Sequence, residues 1–207
     1  MENQFQLVLG TGNQKKRGEL ERLLASYPVK LLSINDFDPV DEPEETGKTF
    51  AENAAIKAHY YATRFNNWVL AEDSGLCVQA LDGAPGVYSA RFSGAAATDQ
   101  SNNELLIEKI KDVDQASRLA WYCCHICVAN PEGKIQAESS GRCYGRILDA
   151  PRGSGGFGYD PLFEIPEYGK TFGQLGASVK AILSHRGRAY RKLLPKLVAI
   201  SRLATIA

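Results

Sequence analysis

Segments with the pattern of strands and segments with the pattern of helices alternate along the chain, and this alternation predicts an α/β fold. Three strand patterns between 118 and 148 follow one another with only tight turns between them, so we expect part of the sheet to be antiparallel. The expected strands lie near 5–10, 29–34, 68–73, 76–81, 118–129, 134–140 and 142–148, and the expected helices near 14–26, 49–65, 99–111 and 184–203.

Capping residues mark two of the expected helix starts. Thr49 is followed three residues later by Glu52, which is the spacing of a capping box, and Ser184 precedes the last helix. Pro195 lies inside the last helical pattern and is expected to kink or interrupt it. The chain of 207 residues has no internal repeat and no low-complexity linker, so we expect a single domain over 1–207 with room for two lobes.

Composition argues against several classes of protein. The chain has 24 Lys and Arg against 24 Asp and Glu, so its formal net charge is zero and binding to nucleic acid is not expected. It has no long uncharged apolar run, which argues against a membrane-spanning segment. The first ten residues lack the basic start of a secretory signal, so we expect a cytoplasmic protein with reduced cysteines.

Three of the five cysteines lie in the stretch YCCHIC. Cys124, His125 and Cys127 are one candidate for part of a zinc site, but no second Cys-x-x-Cys pair is present to complete it. The surrounding stretch WYCCHICVA is aromatic and apolar, and cysteine is a common core residue. We therefore interpret this stretch as a buried strand.

A glycine-containing turn joins the first strand to the first helix. At such a turn the backbone N–H groups and the positive end of the helix point at one spot, which suits a phosphate. Lys15 and Lys16 follow the turn 10–13, and lysines there oppose the helix dipole, so a bound anion explains them better than helix stability does. The alternative is an ordinary strand–helix turn, and spacing alone does not separate the two interpretations.

Two acidic segments are candidates for holding a divalent cation. One is the loop 41–45, which carries four acids, and the other is Glu72-Asp73 at the end of an apolar strand. Carboxylates at the carboxyl ends of strands are typical magnesium ligands where an α/β protein binds phosphates. For 41–45 the alternative is a solvated loop, whereas Asp73 follows an apolar run and needs a partner there.

The loop 153–163, GSGGFGYDPLF, is a candidate for binding a planar base. Its glycines let the backbone approach a ligand closely, and Phe157 and Tyr159 are placed to stack on a base. Asp160 is placed to accept a hydrogen bond from a base N–H. The alternative is a tight loop whose aromatic side chains fold inward.

Six stretches carry a resemblance to a known family: TGNQKK (11–16), ETGKTFAENA (45–54), AEDSGL (71–76), GAPGVYSARFSG (83–94), GGFGYDPLF (155–163) and SHRGRA (184–189). In their order, and over nearly the whole chain, they resemble the noncanonical purine nucleoside triphosphate pyrophosphatases, also called inosine triphosphate pyrophosphatases. The resemblance implies two α/β lobes around a long, twisted, mixed β-sheet with flanking helices, and a site in the central cleft. It also implies a homodimer that uses Mg²⁺ to hydrolyse ITP, dITP or XTP to the monophosphate and pyrophosphate.

The resemblance implies a role for individual residues as well. Asp73 matches the proton acceptor, Glu45 and Asp73 match the metal ligands, and Ser74 matches a substrate contact. The triphosphate would bind to Thr11, Gly12, Asn13, Gln14, Lys15 and Lys16, and the base to Phe157, Gly158, Tyr159, Asp160, Lys180, His185 and Arg186.

The chain departs from the family pattern at two places. The family usually has Asp-Asp-Ser-Gly, whereas this chain has Glu72 as the first acid, so a longer side chain stands beside the implied metal ligands. The family usually has Ala-Glu-Leu where this chain has Gly173-Gln174-Leu175, which removes a charge near the implied base pocket.

Two rival functions are a pyrophosphatase for modified pyrimidine or methylated nucleotides and a nucleotide-binding protein without catalysis. The loop GGFGYD together with SHR favours purines, and the presence of both acids favours catalysis.

Overall fold

The computed structural model describes residues 5–27 and 29–206, without the side chains of 203–206. Within this part of the chain, no helix is long and apolar enough to span a bilayer. The strands are β1 (Gln6–Leu9), β2 (Lys30–Ser33), β3 (Val69–Val78), β4 (Leu119–Ala129), β5 (Ile135–Ile147), β6 (Phe163–Ile165) and β7 (Lys170–Thr171). The helices are α1 (Gln14–Leu24), α2 (Phe50–Phe65), α3 (Asp99–Ile110), α4 (Ala177–Leu183) and α5 (His185–Ile206).

The strands form one mixed sheet in the order β2-β1-β3-β4-β5-β6-β7. β1 is parallel to both of its neighbours, with Gln6 opposite Lys30 and Val8 opposite Val69. β6 pairs antiparallel with β5 and with β7. The prediction of an α/β protein with a mixed sheet and flanking helices is therefore confirmed.

The chain divides into two compact units. Unit 1 comprises Met1–Asp73, Cys124–Gly141 and Arg188–Ala207, and unit 2 comprises Ser74–Cys123 and Arg142–Gly187. In unit 1, buried side chains of β1 and β4 pack with those of α1 and α5 in one cluster and with those of α2 in another. In unit 2, buried side chains of β5 and β6 pack with those of α3. Each unit therefore has an apolar core of its own.

The sequence predicts 76–81 as a continuation of the strand 68–73, and it predicts 134–140 and 142–148 as separate strands; the structure has one strand in each place. Residues 69–78 form β3 without a break at Glu72-Asp73, because this strand is buried almost throughout and its acids have polar partners there. Residues 135–147 form β5, in which buried and exposed residues alternate along the whole length. The predicted break between 140 and 142 is wrong, since Gly141 keeps the period of two.

The last helix continues through its proline, so of the predicted kink or interruption the interruption is absent. α5 runs from His185 to Ile206 with Pro195 inside it, so the proline does not interrupt it. Leu193 and Leu197 flank the proline and are buried in the core of unit 1, and their burial offsets the loss of one backbone N–H. The short elements β6, β7 and α4 were not predicted, because so few residues do not establish a period.

Candidate active site

The turn before α1 has the geometry that the sequence predicts. β1 ends at Leu9 and α1 begins at Gln14, so the turn joins a strand directly to a helix. The side-chain oxygen of Asn13 accepts hydrogen bonds from the backbone N–H groups of Lys15 at 3.0 Å and Lys16 at 3.1 Å. Thr11 Oγ1 accepts a hydrogen bond from the Asn13 N–H at 3.2 Å. The first amide groups of α1 thus converge on one oxygen, as they would on a phosphate oxygen.

The acids of the loop 41–45 differ in their surroundings. Asp41, Glu42 and Glu44 are exposed, as expected for a solvated loop, and Glu45 is partly buried. Gly12 and Gln14, at the turn before α1, are exposed as well, and a Cβ at Gly12 would lie 2.6 Å from Glu42 Oε1. Among the acids of this loop, Glu45 is therefore the best placed to act together with buried groups.

Lys57 joins the two candidate metal ligands. Its ammonium lies 2.6 Å from Glu45 Oε1 and 3.3 Å from Asp73 Oδ1. Burial by itself would lower the pKa of Lys57, but the charges of Asp73 and Glu45 outweigh it and raise that pKa above its ordinary value. Lys57 is therefore a cation at neutral pH, held between two carboxylates that come from separate segments of the chain.

Asn53 fixes the direction of the second oxygen of Asp73. Asn53 is fully buried in α2, and its Nδ2 donates a hydrogen bond to Asp73 Oδ2 at 3.2 Å. Its Oδ1 accepts a hydrogen bond from the Gly47 N–H at 2.8 Å, and this bond determines the orientation of the Asn53 side-chain amide. A Cβ at residue 47 would lie 2.5 Å from Asn53 Oδ1 and 2.7 Å from Glu52 Cβ, so glycine is needed for this close approach.

Glu72, the departure from the family pattern, is buried beside Lys16. Its Oε1 lies 3.7 Å from Lys16 Nζ, and its Oε2 accepts a hydrogen bond from Cys124 Sγ at 3.6 Å. The side chain of Lys16 is 18% exposed, whereas that of Glu72 is 1% exposed. The longer side chain at 72 thus contacts a lysine in the first turn of α1. The other departure, Gln174, accepts a hydrogen bond from the backbone of Thr171 at 3.1 Å and so belongs to a turn.

In unit 2, Asp160 and Lys180 form a buried ion pair. Lys180 Nζ lies 2.5 Å from Asp160 Oδ2, and the same oxygen accepts the Phe157 N–H at 2.8 Å. The Lys180 ammonium also lies 4.6 Å from the centre of the Phe157 ring, within the range of a cation–π contact. Asp160 therefore fixes both the loop backbone and the lysine that covers its phenylalanine.

Arg186 is a fully buried cation of unit 2. Its side chain is 1% exposed, and its guanidinium donates a hydrogen bond to Ser74 Oγ at 3.1 Å. Ser184 caps α5 as predicted, because its Oγ accepts the N–H of Gly187 at 3.1 Å. Ser74 follows Asp73 directly in β3, so Arg186 contacts the residue next to the candidate base.

Two aromatic residues of the predicted base pocket lie in the core of unit 2. The Tyr159 side chain is buried, and its hydroxyl donates to the carbonyl of Ser89 at 2.8 Å. The His185 ring is buried against Tyr122, with ring centres 4.7 Å apart and planes 13° apart. Gly158 has a φ of 61°, and its carbonyl oxygen accepts a hydrogen bond from Asn103 Nδ2 at 3.0 Å. Tyr159 thus folds inward, as the alternative interpretation of the loop expects, and the half-buried Phe157 remains as the ring beside the cations.

Lys57 and Asn53 are site residues that sequence reasoning missed. Both lie on α2, four residues apart, and so on the same face of the helix. A polar residue that repeats at this spacing within an otherwise alanine-rich helix is the signal that could have found them. The motif formed by Thr49 and Glu52 accounts only for the helix start.

The stretch YCCHIC is the buried strand that the sequence predicts, as part of β4. Cys124 is fully buried in the core of unit 1, while His125 and Cys127 lie on the opposite face of the strand because side chains alternate. Cys124 therefore cannot share one metal ion with the other two. Burial, and after it the charge of Glu138, raises the pKa of Cys127 to about 12.

Comparison with known proteins gives full-length matches. The model of the Ham1 family matches residues 7–196. The dITP/XTP pyrophosphatase of Rhodopirellula baltica is 48% identical over 200 residues, which cover 97% of this chain and 96% of the relative. That of Geobacter sulfurreducens is 48% identical over 183 residues, or 88% of this chain and 92% of the relative.

Solved structures agree with these matches. A HAM1 protein from Coxiella burnetii superposes with a TM-score of 0.86 at 36% identity, covering 94% of this chain and 99% of that one. A nucleoside-triphosphatase / dITP/XTP pyrophosphatase from Mycobacterium abscessus superposes with a TM-score of 0.76 at 38% identity, covering 92% of this chain and all of the other. The similarity in sequence and in fold therefore extends over nearly the whole chain.

Proposed function

The chain belongs to the Ham1 family, and on that premise we propose that it hydrolyses dITP, ITP and XTP to the nucleoside monophosphate and pyrophosphate. The observation that carries this proposal is the arrangement of Glu45 and Asp73 around one cation, Lys57. The proposed location is the cytoplasm, in keeping with five cysteines that are free thiols.

Unit 1 supplies the groups that would bind the triphosphate. A triphosphate carries about four negative charges, which must be neutralised before a nucleophile approaches the phosphorus. Lys16 and the N-terminus of α1 offer positive charge, and Lys15 and Gln14 lie in the same first turn. Thr11, Gly12 and Asn13 complete the turn, and a phosphate oxygen would take the place of the Asn13 side chain on the amide groups.

The donor set of unit 1 fits Mg²⁺. Magnesium prefers oxygen ligands, and Glu45 and Asp73 each direct a carboxylate oxygen at one cation, the Lys57 ammonium. Glu45 and Asp73 are the residues that would hold Mg²⁺. When bound, the ion would supply charge neutralisation of the phosphates and lower the pKa of a water.

Asp73 is the proposed general base. A water attacks the α-phosphorus, its proton passes to an Asp73 oxygen, and the bond from the α-phosphorus to the bridging α–β oxygen breaks. Pyrophosphate leaves with the electron pair of that bond, and its charge is stabilised by Lys16. Asn53 and Lys57 hold the two Asp73 oxygens in fixed directions, so the base is oriented before the substrate arrives.

Unit 2 supplies the groups that would recognise the base. Hypoxanthine and xanthine have a carbonyl at the six-position, where adenine has an amino group. Arg186 donates a hydrogen bond to Ser74 Oγ, and a guanidinium N–H at the base can donate to a carbonyl oxygen but not to an amino group. Phe157, with Lys180 beside its ring, offers a surface for stacking on the purine. Gly158, Tyr159, Asp160 and His185 would shape this pocket from within the core.

A panel of nucleoside triphosphates tests the proposed reaction. We expect Mg²⁺-dependent release of pyrophosphate from dITP, ITP and XTP, because the acid pair and the phosphate-binding turn are suited to attack at the α-phosphorus. ATP, GTP and modified pyrimidine triphosphates are the comparison substrates. Nucleoside diphosphate and orthophosphate as primary products would contradict the proposal, as would a preference for the pyrimidines.

The position of attack can be measured separately. Hydrolysis in ¹⁸O-labelled water is expected to place the label in the nucleoside monophosphate, since the water oxygen becomes bonded to the α-phosphorus. Label in the pyrophosphate would show attack at the β-phosphorus instead. The readout is mass spectrometry of both products, and inorganic pyrophosphatase is left out so that pyrophosphate persists.

We also propose a homodimer, supported by an exposed apolar patch on unit 2. Leu119 is 50% exposed and Tyr144 is 62% exposed, and the Trp121 ring lies 6.5 Å from that of Tyr144. Apolar groups that cluster at a surface are typical of interaction sites. We expect sedimentation to give twice the chain mass of 22.6 kDa, and Tyr144→Asp to shift the protein toward the monomer.

Tyr168→Asp is the matched control for the dimer, because Tyr168 is likewise an exposed tyrosine, at 50%, but lies in the turn after β6. This variant is expected to remain a dimer. A wild-type protein that sediments as a monomer at all concentrations would refute the proposal, and a Tyr144→Asp variant that remains fully dimeric would exclude this surface.

A further inference from the structure

His125, Cys127 and Glu138 bring three metal-ligating side chains together on one face of the β4–β5 pair in unit 1. One ligand atom from each of these residues lies within 4.8 Å of the others. We propose that this cluster is a binding site for a divalent transition-metal ion of the zinc type, separate from the carboxylates proposed to hold Mg²⁺.

The backbone explains why these three residues meet. His125 and Cys127 are two residues apart on β4, and side chains two apart on a strand share a face. Glu138 comes from the neighbouring strand β5, and its Oε2 lies 3.3 Å from His125 Nε2. The sequence suggested Cys124 as the third ligand beside His125 and Cys127. In the structure the third residue near them is Glu138, from the neighbouring strand.

The spacing of the ligand atoms is close to that of a tetrahedral site. With metal–ligand bonds of about 2.0–2.3 Å, tetrahedral geometry separates neighbouring ligand atoms by about 3.3–3.8 Å. The distance of 3.3 Å between His125 Nε2 and Glu138 Oε2 already lies in this range. The other pairs of ligand atoms are at most 4.8 Å apart, so small side-chain movements are enough to bring them into it. A strand pair whose backbone is fixed by the sheet can therefore hold the ion after small movements of these side chains.

The chemistry of the ligands selects the class of metal. A thiolate, an imidazole and a carboxylate are a mixed set that suits Zn²⁺ or Co²⁺, whereas Mg²⁺ prefers oxygen ligands alone. Three protein ligands leave a fourth position for water. The ion must displace the Cys127 thiol proton on binding, as every thiolate metal site requires.

The cluster is reachable from solvent on one side. The side chain of Glu138 is 64% exposed and that of His125 is 17% exposed, while Cys127 is 1% exposed. The sulfur thus forms the floor of the site and the carboxylate its outer wall. A metal ion could enter past Glu138 and become partly shielded from water by the sheet.

Titration with Co²⁺ tests the site in the full-length protein, with excess Mg²⁺ present to occupy oxygen-only sites. Thiolate-bound Co²⁺ has a sulfur-to-metal charge-transfer absorption that Co²⁺ on oxygen and nitrogen ligands lacks. We expect this absorption to saturate at one ion per chain and to disappear when Zn²⁺ is added. Cys127→Ser should abolish it, and His125→Ala and Glu138→Gln should weaken binding by about tenfold or more, since even outer contacts of metal sites change affinity by about 10–100-fold.

Control variants separate metal binding from loss of the fold. Cys143→Ser removes another buried thiol, on β5, and Glu132→Gln removes an exposed acid in the turn between the two strands; both should bind Co²⁺ as the wild type does. Glu138 is exposed, so Glu138→Gln tests the site even if Cys127→Ser fails to fold. The proposal is overturned if the wild type shows no thiolate absorption, if Glu138→Gln binds normally, or if Cys143→Ser loses the signal.

Discussion

Replacing Asp73 by asparagine is expected to abolish dITP hydrolysis in a protein that still folds. An amide cannot accept the proton of the attacking water, and loss of a general base alone typically lowers the rate about 10²–10⁴-fold. The same substitution weakens a proposed metal ligand, which adds to the loss. The fold should persist because Glu45 remains 2.6 Å from Lys57, so its carboxylate still balances the positive charge of the lysine. Steady-state rates together with thermal unfolding measure both expectations.

Glu45→Gln is the comparison that separates the two roles of Asp73. Glu45 is a proposed metal ligand but not the base, so raising the Mg²⁺ concentration should recover part of the activity of Glu45→Gln. It should not recover that of Asp73→Asn. A folded Asp73→Asn protein with activity within about tenfold of wild type would assign the proton transfer to another group.

Replacing Arg186 by alanine is expected to reduce the preference for ITP over ATP more than the general rate. A hydrogen bond from a charged donor to a buried carbonyl contributes about 1.5–3 kcal/mol, which corresponds to about 10- to 150-fold in kcat/KM. ATP has no carbonyl at the six-position, so its hydrolysis should change little. The measurement is the ratio of kcat/KM for ITP to that for ATP in wild type and variant.

This ratio is insensitive to partial unfolding, which matters because Arg186 is fully buried and truncation leaves a cavity. The folded fraction affects both substrates equally and cancels. Arg188→Ala is the matched control, since Arg188 is exposed two residues later in α5 and should leave the ratio unchanged. If Arg186 instead binds phosphate, ITP and ATP hydrolysis will fall by the same factor.

Much of the fold follows from local patterns in the sequence. The capping box at Thr49 and Glu52 is present in the structure, and α2 begins at Phe50. Ser184 caps α5, and Asn13 caps α1 directly after the predicted turn. These features involve residues three or four positions apart, whose hydrogen bonds depend on the local backbone alone.

Local sequence patterns are insufficient to predict an element where buried contacts with distant parts of the chain stabilise it. Glu72 and Asp73 suggested the end of a strand, but β3 continues through them because partners elsewhere in the chain satisfy both carboxylates. Pro195 suggested a kink or an interruption, and α5 is not interrupted because the neighbours of the proline are buried. In each case the compensating contact lies far away in sequence, so no local pattern could reveal it.

The residue types of the candidate site can be recognised from sequence motifs, but which of these residues act together depends on how the chain folds. The motifs identified Glu45, Asp73 and Lys16, but only the packing of α2 against β3 places Lys57 and Asn53 on the Asp73 carboxylate. Likewise, only the pairing of β4 with β5 brings Glu138 to His125. The physical reason is that these contacts close loops of 13 to 20 residues, and their geometry depends on strand register and helix rotation rather than on spacing along the chain.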